Sequence, residues 1–325
     1  MRKKRPLTAH INGRAIGVEP KETLLQAALR AGVDFPHSCR VGSCTSCKCR
    51  LLAGQVKELT DAAYVLGDAA GCILACQSVP LTDVTVEVES ARAMAQREVG
   101  GRVVGQRRLT HDITELSIQL DDTLHYKAGQ FADLSLEALP GVRRSYSFAT
   151  PMRPDSQVVF YIRRVAGGQL SSLVNDAPLL GRRVRVHGPA GNFWLRPGLD
   201  PALMVAGGSG LGPILAMLRQ ALDDRAAPPV TLLFGVRAQH DLYAQEEIRA
   251  LAAAWPAPFR YQPVVSAERG MLVHAAGAAL AADTRAYLCG PPGMVDSAAE
   301  RLQAHGLAAS RIHADRFLTQ QELAR

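Results

Sequence analysis

The sequence predicts a multidomain chain of mixed class: a small α+β unit, then an antiparallel β-barrel, then an α/β unit with a doubly wound parallel sheet. Three observations carry that reading. The chain has 325 residues, more than one hydrophobic core comfortably holds. Its residue pattern changes character twice, near position 90 and again near position 200. Between those points short runs alternate with a period of two, as half-buried strands do. Beyond the second point compact apolar runs alternate with helical segments, as in parallel sheets.

Composition narrows the class. Hydrophobic residues make up 47% and charged residues 21%, ordinary values for a soluble globular protein. The formal charge is +7, but the signs are interspersed and the one basic run is the N-terminal MRKKR. No aromatic residue interleaves with it, so it reads as a solvated terminus, and nucleic-acid binding is not expected. No apolar stretch reaches the roughly 20 residues a membrane span needs, and PLTAHINGRAIGVEP has no signal-peptide core. A cytoplasmic location follows as an expectation, and there thiols stay reduced. Seven cysteines, an odd number, also argue against a disulfide framework.

Residues 1–90 form the first segment. LTAHINGRAIGVEP reads as a hairpin turning at Asn12-Gly13. In TLLQAALRAGVDF, Leu24, Leu25, Ala28 and Leu29 share one helical face, and Gly32 is placed to cap it. KCRLLAGQVKEL reads as strand, turn and strand, and LTDVTVEVE as a closing strand. Residues 91–98 are small and polar, a linker. Residues 99–197 hold six strand-like runs: GRVVGQ, TELSIQL, GQFADLSL, RRSYSFAT, QVVFYIRRV and RRVRVHG. Residues 198–325 hold four buried strands, PALMVAGG, VTLLFGV, FRYQPVV and RAYLCG, each followed by a helix. No internal repeat is evident.

Chemistry concentrates in three places. In CRVGSCTSC, Cys39, Cys44 and Cys47 are spaced C-x4-C-x2-C, and Cys76 follows far downstream. That is the plant-type [2Fe–2S] pattern, in which two irons take two thiolates each. Gly42, Ser43, Thr45 and Ser46 supply the small, amide-rich wrapping such a cluster needs. Zinc is the competing ion, but structural zinc sites usually show two paired knuckles, and Cys76 has no knuckle partner, Cys72 being four residues upstream. Cys49 and Cys72 read as packed thiols.

The middle segment carries RRSYS, YIRRVAGGQLSS and GPAGNFW. Gly167-Gly168 permits a sharp turn into a short helix, whose first amides, with Ser171 and Arg163, are placed to hold a pyrophosphate. The last segment opens on MVAGGSGLGP, a strand running through glycines into a helix near Pro213. Gly208-x-Gly210-x-Gly212 departs from the strict G-x-G-x-x-G fingerprint, so a plain glycine turn is its rival. Cys289, Gly290 and Pro291 end another strand, where parallel sheets bind ligands.

Taken together, RSYS, GGQLS, GGSGLGP and CGPP resemble the ferredoxin–NADP reductase superfamily. With the N-terminal cysteine pattern, nearly the whole chain is similar to the reductase components of bacterial multicomponent oxygenases, both Rieske-type and diiron. The resemblance implies a β-grasp ferredoxin domain, a flavin-binding β-barrel and a nucleotide domain. It implies that Arg144, Tyr146 and Ser147 contact FAD, with Ser147 at the flavin ring. Arg163 with Gly168, Gln169, Leu170 and Ser171 would hold the FAD pyrophosphate. Gly208, Ser209 and Gly210 would line the NAD site, Cys289 would lie near the nicotinamide, and Phe317 would cover the flavin. Ser147 and Cys289 are thus the candidates at the reacting centre, and no acid–base or nucleophile triad stands out.

The implied electron path runs from NADH through FAD and the [2Fe–2S] cluster to a terminal oxygenase or an intermediate ferredoxin. A 2′-phosphate calls for Arg or Lys after the second nucleotide-domain strand. There GVRAQHDLY offers Arg237, which leaves NADPH open, and Asp241, which with the family favours NADH. Relatives usually carry glycine after the second cluster cysteine, where this chain has Thr45, and GDAAG is compact beside their acidic loop. A reductase for a desaturase or a deoxysugar dehydration would share every motif. A redox sensor without turnover and a zinc-bound oxidoreductase are the remaining alternatives.

Overall fold

The computed structural model describes residues 7–33, 35, 37, 40, 42, 47–60, 66, 71–88, 97–265, 281 and 283–319. The described residues fall into two compact units, the first within Met1–Ala93 and the second within Met94–Thr319.

In the N-terminal unit, β1 (Leu7–Ile11) and β2 (Arg14–Val18) form the expected antiparallel hairpin. Asn12 (φ 48°) and Gly13 (φ 84°) both take the left-handed conformation that a tight hairpin turn requires. Asn12 also pins the hairpin to a distant segment. Its side chain donates to the Val88 carbonyl at 3.1 Å and accepts from the Val88 amide at 2.8 Å. Helix α1 (Leu24–Arg30) starts at a capping box of Thr23 and Gln26, which satisfies two otherwise orphaned amides. It ends on Gly32 at φ 64°, with the Val33 amide returning to the Ala28 carbonyl at 2.9 Å, a Schellman closure.

The remaining strands are β3 (Lys48–Ala53), β4 (Val56–Glu58), β5 (Cys72–Leu74), β6 (Ser78–Pro80) and β7 (Val84–Glu87). The sheet order is β2-β1-β7-β3-β5, with β1 and β7 parallel, and α1 buries Leu24, Leu25 and Ala28. This is a β-grasp arrangement. Residues 48–58 do form two strands, but not a hairpin pair. Both edges of β3 are taken by β7 and β5, so β4 pairs with β6 in a separate ribbon. The linker residues 91–96 lie outside the described residues, and β8 begins at Arg97.

The second unit opens with β8 (Arg97–Arg108), β9 (Ile113–Leu120), β10 (Phe131–Leu136), β11 (Arg144–Ser147), β12 (Gln157–Arg163) and β13 (Arg183–Ala190). They form one antiparallel sheet in the order β11-β10-β13-β8-β9-β12, and a bridge between Phe148 and Phe160 brings its edges together into a near-closed barrel. Closure removes the exposed edges that an open sheet leaves. Helix α2 (Gln169–Asp176) lies between β12 and β13 in the chain.

A parallel sheet follows: β14 (Ala202–Gly207), β15 (Val230–Val236), β16 (Phe259–Val265), β17 (Arg285–Gly290) and β18 (Ile312–Arg316). Helices α3 (Leu211–Asp223), α4 (Gln245–Ala254) and α5 (Pro292–Ala304) follow β14, β15 and β17. The order β16-β15-β14-β17-β18 reverses direction beside β14, which creates the crevice where such sheets bind ligands. β18 is a strand the sequence reading did not find. In IHADR only Ile312 is fully buried, so it lacks the apolar run that marked the other four.

Barrel and sheet share one core. Ala149, Tyr161 and Phe193 of the barrel pack with Leu211, Ile214 and Met217 of α3. Arg219 of α3 donates to the Ala149 carbonyl and pairs with Glu247 of α4. No described helix is long and apolar enough to cross a membrane.

Candidate functional site

At the cysteine end, Cys39, Cys44 and Thr45 lie outside the described residues, as do residues 67–70 of GDAAG. Cys47 and Cys76 are both buried, at 3% and 6% exposure. The Ala75 amide donates to the Cys47 carbonyl at 3.0 Å, which sets the two cysteine segments side by side. Gln77, which the sequence reading did not single out, points its side-chain amide at Cys76 Sγ from 3.7 Å and at the Arg40 carbonyl from 3.2 Å. Thr60 holds the other end of that amide at 3.3 Å. Gly42 (φ 83°) is pressed against it, so that a Cβ there would stand 2.9 Å from Gln77 Cγ. Two buried sulfurs, a donor aimed at one of them and a glycine where a side chain has no room suit a thiolate-held group with negative charge on sulfur. Cys49 differs: burial, with Cys72 and Cys76 adding, pushes its thiol up to about 12. It stays neutral, a packed side chain, and Cys72 is half-buried.

In the second unit, β11 pairs with β10 so that Tyr146 faces Ala132 and Ser147 faces Phe131. Ser147 is buried, and its hydroxyl donates to Asp315 Oδ2 at 2.9 Å. The parallel register of β17 and β18 places Cys289 opposite Asp315, with Cys289 Sγ 4.0 Å from the same oxygen. Burial above all, and then the Asp315 charge, raise the Cys289 thiol well above its ordinary range, so it too is a neutral thiol. Tyr146 has its hydroxyl raised by burial. The Phe317 amide donates to the Gly290 carbonyl at 2.9 Å, which carries Phe317 past the end of β17. Arg144 donates to the Arg143 carbonyl at 2.7 Å.

The structure thus brings Ser147 and Cys289 together, through an aspartate on the strand that was missed. Helix α2 starts at Gly168, which has no side chain to cap it; the first-turn amides, those of Gln169 and Leu170 among them, have no partner within the helix, as at any helix start that can take an anion. Ser171 is occupied in shaping that turn. It accepts from the Val165 amide at 3.1 Å and donates to the Gly168 carbonyl at 3.4 Å. Leu170 is buried beneath the turn. Arg163 pairs with Asp112 at 2.7 Å and reaches Gly208, where a Cβ would come within 2.8 Å of its Nη1.

A cleft of about 100 Å³ opens between barrel and sheet, lined by Asp112 and Arg163 from one side and by Gly208, Arg237, Asp241 and Pro291 from the other. The glycines of GGSGLG divide their work. Gly208 (φ 55°) faces the cleft, with its carbonyl held by the Tyr243 hydroxyl at 2.9 Å. Ser209 is buried. Gly210 and Gly212 serve packing: a Cβ would stand 2.3 Å from the Cys289 carbonyl oxygen at Gly210, and 3.0 Å from the Tyr161 ring at Gly212. Gly210→Ala therefore forces the turn after β14 away from the end of β17. The expected cost is about 1–3 kcal/mol, read as a lower thermal midpoint of the second unit, with weakened dinucleotide binding. A midpoint equal to the parent's would show that the contact relaxes freely.

Family comparisons match these segments in order. Residues 9–81 match the 2Fe-2S iron-sulfur cluster binding domain, residues 101–194 the oxidoreductase FAD-binding domain, and residues 204–300 the oxidoreductase NAD-binding domain. The chain is 37% identical to the xylene/toluene monooxygenase electron transfer component of Pseudomonas putida, over 91% of this chain and 89% of that protein. It is 34% identical to the reductase component of the naphthalene 1,2-dioxygenase/salicylate 5-hydroxylase systems of a Ralstonia species, over 96% and 97%. Among solved structures, the Amycolatopsis cytochrome P450 reductase GcoB is 30% identical, with a TM-score of 0.71 over 96% of this chain and 98% of that one. With the three domains in this order and relatives alike over nearly their full length, the chain belongs to the family of ferredoxin–NAD(P) reductases that are the electron-transfer components of dioxygenase and monooxygenase systems.

Proposed function

We propose that the chain takes electrons from NADH in the cytoplasm and delivers them, one at a time, to a terminal oxygenase or an intermediate ferredoxin. Residues 1–90 serve as the ferredoxin domain, 91–98 as linker, 99–197 as the FAD domain and 198–325 as the NAD domain. The observations that support it best are the meeting of Ser147 of the barrel with Asp315 and Cys289 of the sheet and a cleft that barrel and sheet line together. Such a cleft lets a hydride donor held by the sheet approach an acceptor held by the barrel.

Bound FAD supplies the exchange of one hydride for two single electrons, and a [2Fe–2S] cluster supplies a one-electron outlet. The chain's own residues bind, orient and insulate. Cys39, Cys44, Cys47 and Cys76 are the proposed iron ligands, with Gln77 tuning the sulfur of Cys76. Arg144 and Tyr146 grip the flavin, Ser147 positions its hydroxyl at the ring, and Phe317 covers it. The amides of Gln169 and Leu170 take the pyrophosphate on a turn that Gly168 closes through its own bond to the Val165 carbonyl and that Ser171 holds in shape, with Arg163 adding charge. Gly208 lets the second dinucleotide approach, with Ser209 and Gly210 holding the turn beneath it, and Gly290 and Pro291 form its other wall. Cys289, a small neutral thiol, leaves room for the nicotinamide without competing for charge.

Asp241 sits in the cleft, buried to 8% exposure, and the exposed Arg237 is nearby. A fixed carboxylate accepts from a ribose 2′-hydroxyl and repels a 2′-phosphate, which favours NADH. The test is steady-state turnover with NADH and with NADPH, using cytochrome c as a one-electron acceptor. We expect turnover with a kcat/KM for NADH at least about 10-fold above that for NADPH, the size of one charge-assisted contact. Equal values would remove the role assigned to Asp241, and no turnover with either would remove the function.

A further inference from the structure

His111, His240 and Asp241 converge at the rim of the cleft, and nothing in the electron-transfer reading uses the two histidines. His111 comes from the turn between β8 and β9, and His240 and Asp241 from the 3₁₀ turn after β15. One ligand atom from each lies within 4.8 Å of the other two. His111 Nδ1 is 3.1 Å and His240 Nε2 is 3.5 Å from Asp241 Oδ1. A tetrahedral ion with bonds of about 2.0–2.1 Å sets its ligand atoms roughly 3.3 Å apart, and these two separations straddle that value.

A second observation concerns the carboxylate itself. Asp241 is buried to 8% exposure, and its Oδ1 accepts no hydrogen bond of good geometry, that of the His111 ring nitrogen at 3.1 Å included. The other oxygen is engaged, accepting from the Ala238 amide at 3.1 Å. A buried carboxylate oxygen left without a donor is costly, and a cation between it and two imidazoles would remove that cost. The supports are also built in. Thr110 Oγ1 accepts from the amides of Asp112 and Ile113 at 3.3 and 3.0 Å, which fixes the turn that carries His111. Both imidazoles are mostly exposed, with side chains at 61% and 73%, so an ion can enter directly from solvent.

We propose that His111, His240 and Asp241 form a binding site for a divalent transition-metal ion of the zinc type, with water completing the coordination. Two imidazoles and one carboxylate suit such an ion better than magnesium or calcium, which prefer oxygen ligands. The bound ion would clasp the barrel turn to the nucleotide-domain turn across the rim of the cleft. Because it occupies Asp241, it would also compete with the dinucleotide. That consequence rests on the nucleotide reading of the cleft, whereas the binding itself does not.

The test is calorimetric titration of the untagged protein, loaded with cluster and flavin, with Zn²⁺ and no nucleotide, beside His111→Ala and His240→Ala. We expect one equivalent bound by the parent and affinity lower by about 10-fold or more in each variant, since even loss of an outer-shell partner costs that much. Unchanged affinity in both variants would place the ion elsewhere and overturn the proposal, as would the absence of binding to the parent. Circular dichroism checks that both variants, altered at exposed positions, remain folded. In a second measurement Zn²⁺ should raise KM for NADH in the parent without lowering kcat, and do neither in His240→Ala. Binding of one histidine-dependent equivalent with an unmoved KM would uphold the metal site and count against the nucleotide role of Asp241.

Discussion

Cys76→Ser should cut reduction of cytochrome c by NADH by about 100-fold or more, while NADH-driven reduction of ferricyanide stays near the parent rate. The first number follows from ligand loss. Changing an outer-shell partner already costs roughly 10–100-fold in metal affinity, and Cys76 is assigned as a direct ligand. Serine is a weak substitute, because the cluster depends on thiolate. The second number follows from the division of the chain: Cys76 belongs to the N-terminal unit, and the proposed flavin and dinucleotide contacts belong to the other. Ferricyanide takes electrons from reduced flavin directly, so it bypasses the lost outlet. Folding is not the confounding issue. The exchange is nearly isosteric, and the neighbouring main-chain bonds from Ala75 to Cys47 and from Gln77 to Leu74 do not involve the sulfur. Cytochrome c reduction at the parent rate in Cys76→Ser would remove the cluster from the path.

Ser147→Ala should slow flavin reduction by NADH about 10- to 100-fold in stopped-flow absorbance, with KM for NADH nearly unchanged. The serine hydroxyl is fixed by a carboxylate at 2.9 Å, and the proposed contact it then makes at the flavin ring, strengthened as charge develops during hydride transfer, is of the charge-assisted kind that contributes about 1.5–3 kcal/mol. That range converts to the stated loss. Asp315→Asn should cost less, since an amide oxygen still accepts from Ser147. A parent rate in Ser147→Ala would make the hydroxyl a strut between β11 and β18 with no part in orienting the flavin.

Much of this was legible in the sequence because the relevant signals are local. Asn12-Gly13 needs left-handed backbone, Gly32 does as well, and both are found there. The six alternating runs of the barrel and the four apolar strands of the sheet follow from burial on one face or on two. The cysteine spacing is equally local. What escaped was set by long-range geometry. IHADR forms β18 because it adds to the edge of β17, not because of its own pattern. Asp315 therefore could not be connected to Ser147, 168 residues away. Gln77 sits next to a marked cysteine but carries no spacing signal of its own. Asp112 matters through its pairing with Arg163, and His111 through a histidine and an aspartate on another domain. The pairing of β4 with β6 was likewise decided by which sheet edges remained free.

The most direct measurement is an anaerobic titration of the purified protein with NADH, followed by visible absorbance and low-temperature EPR, with iron and acid-labile sulfide assayed on the same sample. Bleaching of the flavin together with a rhombic [2Fe–2S] signal is the predicted result, and it establishes that hydride electrons leave singly through the cysteines of CRVGSCTSC. Bleaching without a cluster signal, in protein that lacks iron and sulfide, would contradict the proposed path and assign those thiols to zinc.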